Sequence, residues 1–349
     1  MKMLHFAIAS IGALACALAG AGAYAERNGN PNAATLKDAE MRAFMAEYVR
    51  PRAIPFPDDN AYTPGKATLG KQLFFDPRLS GSGAISCASC HNPGLGWEDG
   101  LKTGIGHMGA SLGRHTPTTL NLAWGVRFFW DGRAGSLEEQ ALGPIKSSVE
   151  MNLDHEAALK KLTAIPGYVA AFEAEFPGQG ITLENIGKAI ATFERTIVSN
   201  DAPFDRWIKG DEAAISDEAK RGFQLFNTKA NCAVCHSGWR FTDDGFHDIG
   251  VASSDNGRGD VLKIPAMQRA FKTPTLRNID QRAPFLHNGS AADLMAVVDL
   301  YDNGFERRPT LSAQIKPLSL SDKEKRELVE FLKALTSEDD PVPVPVLPK

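Results

Sequence analysis

The chain has 349 residues, 43% of them hydrophobic, with 42 acidic against 38 basic side chains. A formal net charge of −4 and a pI near 6.1 exclude the basic stripe expected of a nucleic-acid binder, and the length suits one large or two medium globular domains. Of the five cysteines, Cys16 lies in an N-terminal apolar run, and the other four form two Cys-x-x-Cys pairs.

In chain order, residues 1–25 read as a cleavable secretory signal. Lys2 gives the positive start, 4–22 an apolar stretch rich in Gly and Ala, and Ala23-Tyr24-Ala25 an A-x-A cleavage site. No other stretch approaches the run of about 18 apolar residues needed to span a bilayer, so an exported, periplasmic protein without a membrane span is expected. Residues 36–49 follow as an amphipathic helix. Gly70-Lys71-Gln72-Leu73-Phe74-Phe75 then leads into Cys87-Ala88-Ser89-Cys90-His91, and Gly222-Phe223-Gln224-Leu225-Phe226 leads into Cys232-Ala233-Val234-Cys235-His236. The two runs suggest a duplicated unit.

Both motifs are C-x-x-C-H, the c-type haem attachment pattern. Two thiols three residues apart on one helical turn can each add to a haem vinyl group, and the next histidine can turn its imidazole to the iron. A disulfide framework is a poor alternative in a chain this long with so few cysteines. Zinc half-sites or redox dithiols would not call for a histidine after the second cysteine, and here it follows twice. Two covalently bound haems c are expected, with Cys87, Cys90, Cys232 and Cys235 as attachment points and His91 and His236 as iron ligands.

Helical periodicity recurs at 182–199, 216–228, 291–301 and 321–335, the last opened by the capping box Ser321-Asp322-Lys323-Glu324. Strand alternation is scarce, and 32 Gly and 21 Pro mark long loops. The expected fold is therefore mainly α: two cytochrome c-like haem domains, 26–200 and 201–340, dividing near 199–203, then an extended Pro-Val tail at 341–349 without a catalytic role.

On both haem motifs and two further blocks, the sequence resembles the bacterial di-haem cytochrome c peroxidase and MauG superfamily, closer to its tyrosine-ligated branch. The blocks run from Phe129-Trp130-Asp131-Gly132-Arg133-Ala134 to Gly143-Pro144-Ile145, and from Thr273-Pro274-Thr275-Leu276-Arg277-Asn278 to Pro284-Phe285-Leu286-His287-Asn288-Gly289. The resemblance implies a peroxide-reacting N-terminal haem and a C-terminal haem that stores or relays electrons. It puts Gln140 and Glu150 on the open face of the first haem, with Pro144 shaping the pocket and Trp130 lying between the haems. A carboxylate suits O–O heterolysis, which needs a proton moved from one oxygen to the other, and an amide can hold the peroxide by a hydrogen bond.

The family's peroxidases place a methionine on the second haem, and here the matching position is Tyr301, as in MauG-like members. A phenolate stabilises oxidised iron, whereas methionine favours the reduced state. Met267 and Met295 are the competing ligands. His107 stands at the spacing from His91 where the peroxidases carry a distal histidine, and His115 is a second candidate. His115 also falls where the family has an asparagine beside an inter-domain calcium, with Arg282 and Pro284 at the other ligand-bearing stretch. Histidine suits calcium poorly, which puts calcium occupancy in doubt.

The resemblance implies hydrogen peroxide as one substrate. The other is a periplasmic protein: a partner oxidised at Trp or Tyr, or, in peroxidase action, a small cytochrome c or cupredoxin donating electrons. Trp207 and Trp239 read as surface tryptophans able to relay electrons to it. A di-haem electron carrier would have no use for an acid such as Glu150 beside an open iron.

Overall fold

The computed structural model describes residues 38–349; the signal sequence lies outside them. Twelve α-helical segments carry the described chain: α1 Asp38–Glu47, α2 Pro64–Phe75, α3 Cys87–Cys90, α4 Leu137–Lys146, α5 His155–Thr163, α6 Pro166–Glu175, α7 Leu183–Thr196, α8 Pro203–Ile208, α9 Asp217–Asn227, α10 Arg258–Leu262, α11 Leu294–Asp299 and α12 Asp322–Lys333. Among the described residues the sheet is a single antiparallel pair, β1 Phe246–His247 and β2 Phe271–Lys272. Among the described residues no helix is long and apolar enough to cross a membrane.

Among the described residues two large apolar cores, with a small satellite of Phe128, Ala134, Leu137 and Ala191, account for the architecture, and each large core is built round one helix pair. In the first, α2 packs on α7; in the second, α9 packs on α12. The same device brings both pairs together. A Cβ on Gly70 would stand 1.9 Å from the Ala189 carbonyl oxygen and 2.9 Å from Phe193 Cβ. A Cβ on Gly222 would stand 1.9 Å from the Glu327 carbonyl oxygen and 2.7 Å from Phe331 Cβ. Only glycine lets these backbones approach so closely, and in each case the partner helix places a phenylalanine one turn beyond the contact. The repeated Gly-x-Gln-Leu-Phe run is thus a repeated close approach as well as a repeated sequence.

The chain ends cross over between the cores. Phe44 on α1 and Tyr48 just after it, both within the expected N-terminal domain, pack in the second core. The reason is aromatic complementarity: Tyr48 stacks on Phe241 at 4.6 Å, meets Phe223 edge-on at 5.5 Å and donates its hydroxyl to Asn227. At the other end Val342 packs on the first core, Gly167 N–H donates to the Lys349 carbonyl, and Gln72 donates to the Val346 carbonyl. Each core therefore holds a segment from the far end of the chain.

Candidate di-haem site

Between the cores lies one continuous cavity of about 940 Å³, lined by Cys87, Cys90 and His91 on one side and Cys232, Cys235 and His236 on the other. None of these cysteines forms a disulfide. Burial pushes the Cys90 thiol up to about 11 and the Cys232 thiol up to about 12, and pushes Cys87 up as well. Such thiols are poor redox nucleophiles, which require a stabilised thiolate. They suit covalent consumption by a vinyl group. Among the described residues one further cluster of potential metal ligands contains Cys235, together with Asp243 and His247, but that thiol belongs to the attachment motif.

Both motif histidines are buried and held alike. His91 Nδ1 lies 3.2 Å from the Trp97 carbonyl, and His236 Nδ1 lies 2.8 Å from the Phe241 carbonyl. Because a carbonyl only accepts, Nδ1 carries the proton, which leaves Nε2 free as a ligand atom. Burial lowers the pKa of each imidazole and keeps it neutral, the form that binds iron. Trp97 and Phe241 each adopt left-handed backbone, at φ 63° and 55°. Two buried bulky residues in this sparsely populated region are the mark of a carbonyl aimed on purpose. The thiols, the free Nε2 atoms and the cavity fit two c-type haems.

The sequence-matched residues converge on this cavity. Gln140 on α4, Pro144 in its last turn and Glu150 in the loop beyond it all line the wall on the His91 side. Gln140 Oε1 is buried and has no partner within the protein, so the amide is poised for a ligand. Pro144 has no N–H to return to the Gln140 carbonyl, a loss the helix bears because it ends two residues later; the Pro144 carbonyl accepts from Met151 N–H and anchors the loop after Glu150. Trp130 is buried and gripped from both halves of the chain. Its indole N–H donates to the His115 carbonyl at 2.8 Å, and its own carbonyl accepts from Lys272 N–H at 2.8 Å.

On the other side, α11 passes into a π-helical turn, Leu300–Gly304, and Tyr301 lines the cavity from it. Burial pushes its phenol up, and the Cys232 and Cys235 thiols add to the effect. A bound ferric iron would reverse that preference, as cations do for any coordinating acid. Neither Met267 nor Met295 lines the cavity: Met267 closes a short 3₁₀ turn, and Met295 packs on the second core.

A family model described as di-haem cytochrome c peroxidase matches residues 64–213, and one described as cytochrome c matches 219–336. The methylamine utilization protein MauG of Methylorubrum extorquens is 49% identical over 334 residues, covering 94% of this chain and 95% of that protein. The chain belongs to the di-haem cytochrome c peroxidase family. MauG of Methylophilus methylotrophus is 46% identical, covering 87% and 92%, and the cytochrome c551 peroxidase of Nitrosomonas europaea is 38% identical, covering 81% and 83%. Among solved structures, a MauG-like protein associated with microbial copper homeostasis superposes with a TM-score of 0.76 at 30% identity, covering 83% of this chain and 95% of that one. This di-haem peroxidase-type protein is accordingly an oxidoreductase carrying two covalently attached c-type haems.

One expectation changes in this family member. Trp207 is a core residue, 3% exposed, held by Glu212; its apolar ring fills the space among Phe204 and Phe223. Trp239 is half-buried, edge-on to Trp124 at 4.7 Å. His107, the possible distal ligand, follows the cavity-lining Gly106; its backbone N–H donates to the Val149 and Glu150 carbonyls, and its buried Nδ1 has no partner within the protein.

Sequence reasoning passed over Glu194. It lines the cavity from α7 at 3% exposure, with Oε2 unpartnered. Burial raises its pKa to about 8, against a smaller opposing pull from Arg195. An unfolded glutamate ionises near 4.5, so between pH 4.5 and 8 the native state holds a proton that the unfolded state has lost, and stability falls as pH rises through that window. The loss accrues at about 1.4 kcal/mol per pH unit. Glu194→Gln is expected to flatten the decline of melting temperature between pH 5 and 8; an unchanged slope would reject a protonated Glu194.

Proposed function

We propose that the protein is a periplasmic MauG-like enzyme that draws oxidising equivalents from hydrogen peroxide on the His91 side and uses them to oxidise a protein partner at Trp or Tyr by long-range electron transfer. The observation that carries this reading is the placement of Tyr301 on the cavity wall beside Cys232 and Cys235, with both candidate methionines elsewhere. The relatives named for methylamine utilization point to a partner in that process.

When bound, the haems supply the redox capacity that takes up the two oxidising equivalents of peroxide. The protein's own groups do the rest. Gln140 holds the peroxide, and Glu150 carries the proton from one peroxide oxygen to the other as the O–O bond breaks. Trp130, bonded to both halves of the chain, relays electrons between them. His236 and Tyr301 would hold the second haem in an environment that favours oxidised iron. Two electrons drawn from the partner and two protons complete the reduction of peroxide to water.

Peroxide added to the fully oxidised protein is expected to give a long-lived species with a near-infrared band, showing oxidising equivalents shared by both haems. Reaction only after one-electron reduction would instead establish cytochrome c peroxidase action, in which a small cytochrome c or cupredoxin supplies the electrons. The contact of the His107 segment with Glu150 favours that second reading, because the same loop could regulate access to the acid.

A further inference from the structure

At the boundary of the two halves, three charged or titratable side chains are buried together: Glu98, His115 and Arg282, each no more than 4% exposed. Arg282 donates to Glu98 Oε1 at 3.1 Å and to the Thr275 carbonyl at 2.6 Å. His115 Nε2 lies 2.9 Å from Glu98 Oε2, and its Nδ1 lies 2.7 Å from the Leu101 carbonyl. Burial opposes a charge on His115, but Glu98 outweighs it and raises the imidazole pKa. Arg282 and Glu98 are 184 residues apart in sequence, so the pair joins the second half of the chain to the first.

The cluster includes oxygen donors of the kind that calcium favours, a carboxylate and two backbone carbonyls. Yet every one of those oxygens already accepts from a protein N–H. A dication among them would also stand against the buried guanidinium, a repulsion that low dielectric magnifies. The residues present therefore do not fit the inter-domain calcium that the family resemblance implies.

We infer that the Arg282 guanidinium, locked by Glu98 and His115, is a built-in cation that replaces calcium in joining the two halves and positioning Trp130. The link to Trp130 is direct. The Trp130 indole N–H donates to the carbonyl of His115, whose side chain the cluster fixes and whose backbone N–H donates to the His287 carbonyl across the boundary. A planar fork can hold a carboxylate and a carbonyl at once, which a point charge on a flexible stem cannot do equally well. Arg282, Glu98 and His115 are thus positioning residues, acting on the tryptophan through the His115 carbonyl.

The test uses the haem-loaded protein purified without chelator. Calcium content should be far below one ion per chain, and EDTA should leave the melting temperature and the haem spectrum unchanged. Stoichiometric calcium, or a chelator-induced fall in melting temperature, would overturn the inference. Arg282→Gln should lower the melting temperature by roughly 6–20 °C, the scale for unpairing a buried ion in a chain of this size, and should speed amide exchange in residues 127–134 around Trp130. Arg282→Lys, which keeps the charge, should restore both in part. An Arg282→Gln protein with parental melting and parental exchange at 127–134 would also overturn it. If Arg282→Gln does not fold, the chelator measurement on the unaltered protein and the Arg282→Lys comparison decide the matter.

Discussion

Glu150→Gln is expected to slow the reaction with peroxide by about 10²–10⁴-fold, the usual contribution of a positioned general acid–base, while both haems stay attached. The substitution keeps the size and hydrogen-bonding capacity of the side chain and removes only its ability to carry a proton. The surroundings isolate that change. Glu150 stands on a short turn, its N–H donating to the Ser147 carbonyl, while its own carbonyl accepts from His107 N–H. Both contacts are made by the backbone, so the loop should survive the change of side chain. Gln140, with its buried Oε1 free of protein partners, would still receive the peroxide. Binding should therefore persist while O–O cleavage slows, a separation that stopped-flow mixing over a range of peroxide concentrations can resolve. A variant with the parental rate would remove Glu150 from the proposed chemistry and return it to a solvated loop acid.

What the sequence made legible was the chemistry written in local spacing. The two C-x-x-C-H motifs are complete within five residues each, and their cysteines and histidines do meet in one cavity. The amphipathic runs at 182–199, 216–228 and 321–335 correspond to α7, α9 and α12, whose apolar faces build the two cores. The helix α4 was harder to read, because Gly143 and Pro144 look like breakers; its start is signalled by Ser136, which accepts from Glu139 N–H. No periodicity could announce Trp97 and Phe241 as the carbonyls that orient His91 and His236, since their role rests on left-handed backbone. The same holds for Glu98 and Arg282, which only folding brings together. Glu194 failed to stand out for a related reason. In sequence it is one acid next to Arg195, yet Arg195 pairs with Glu138 and leaves Glu194 buried alone.

Tyr301→Met is expected to raise the midpoint potential of the second haem by on the order of hundreds of millivolts and to abolish the near-infrared band formed on adding peroxide to the oxidised protein. The argument runs through the charge of the ligand. A phenolate gives anionic stabilisation to oxidised iron, and a thioether gives none, so the exchange moves the equilibrium toward the reduced state. Geometry favours a clean replacement. Tyr301 enters the cavity from the π-helical turn Leu300–Gly304, which widens the backbone at this one place, and methionine is flexible enough to follow the same path. The helix below is secured independently, by Asp293 accepting from Ala296 N–H at its start and by Lys325 bonding to Asp299. Spectroelectrochemical titration gives the potential, and peroxide mixing before and after one-electron reduction gives the reactivity. The variant should behave as a peroxidase, inert when fully oxidised and reactive once half reduced, and should lose oxidation of a protein partner. Should potential and band both stay unchanged, Tyr301 would be no ligand, and the MauG-like reading would lose the residue on which it stands.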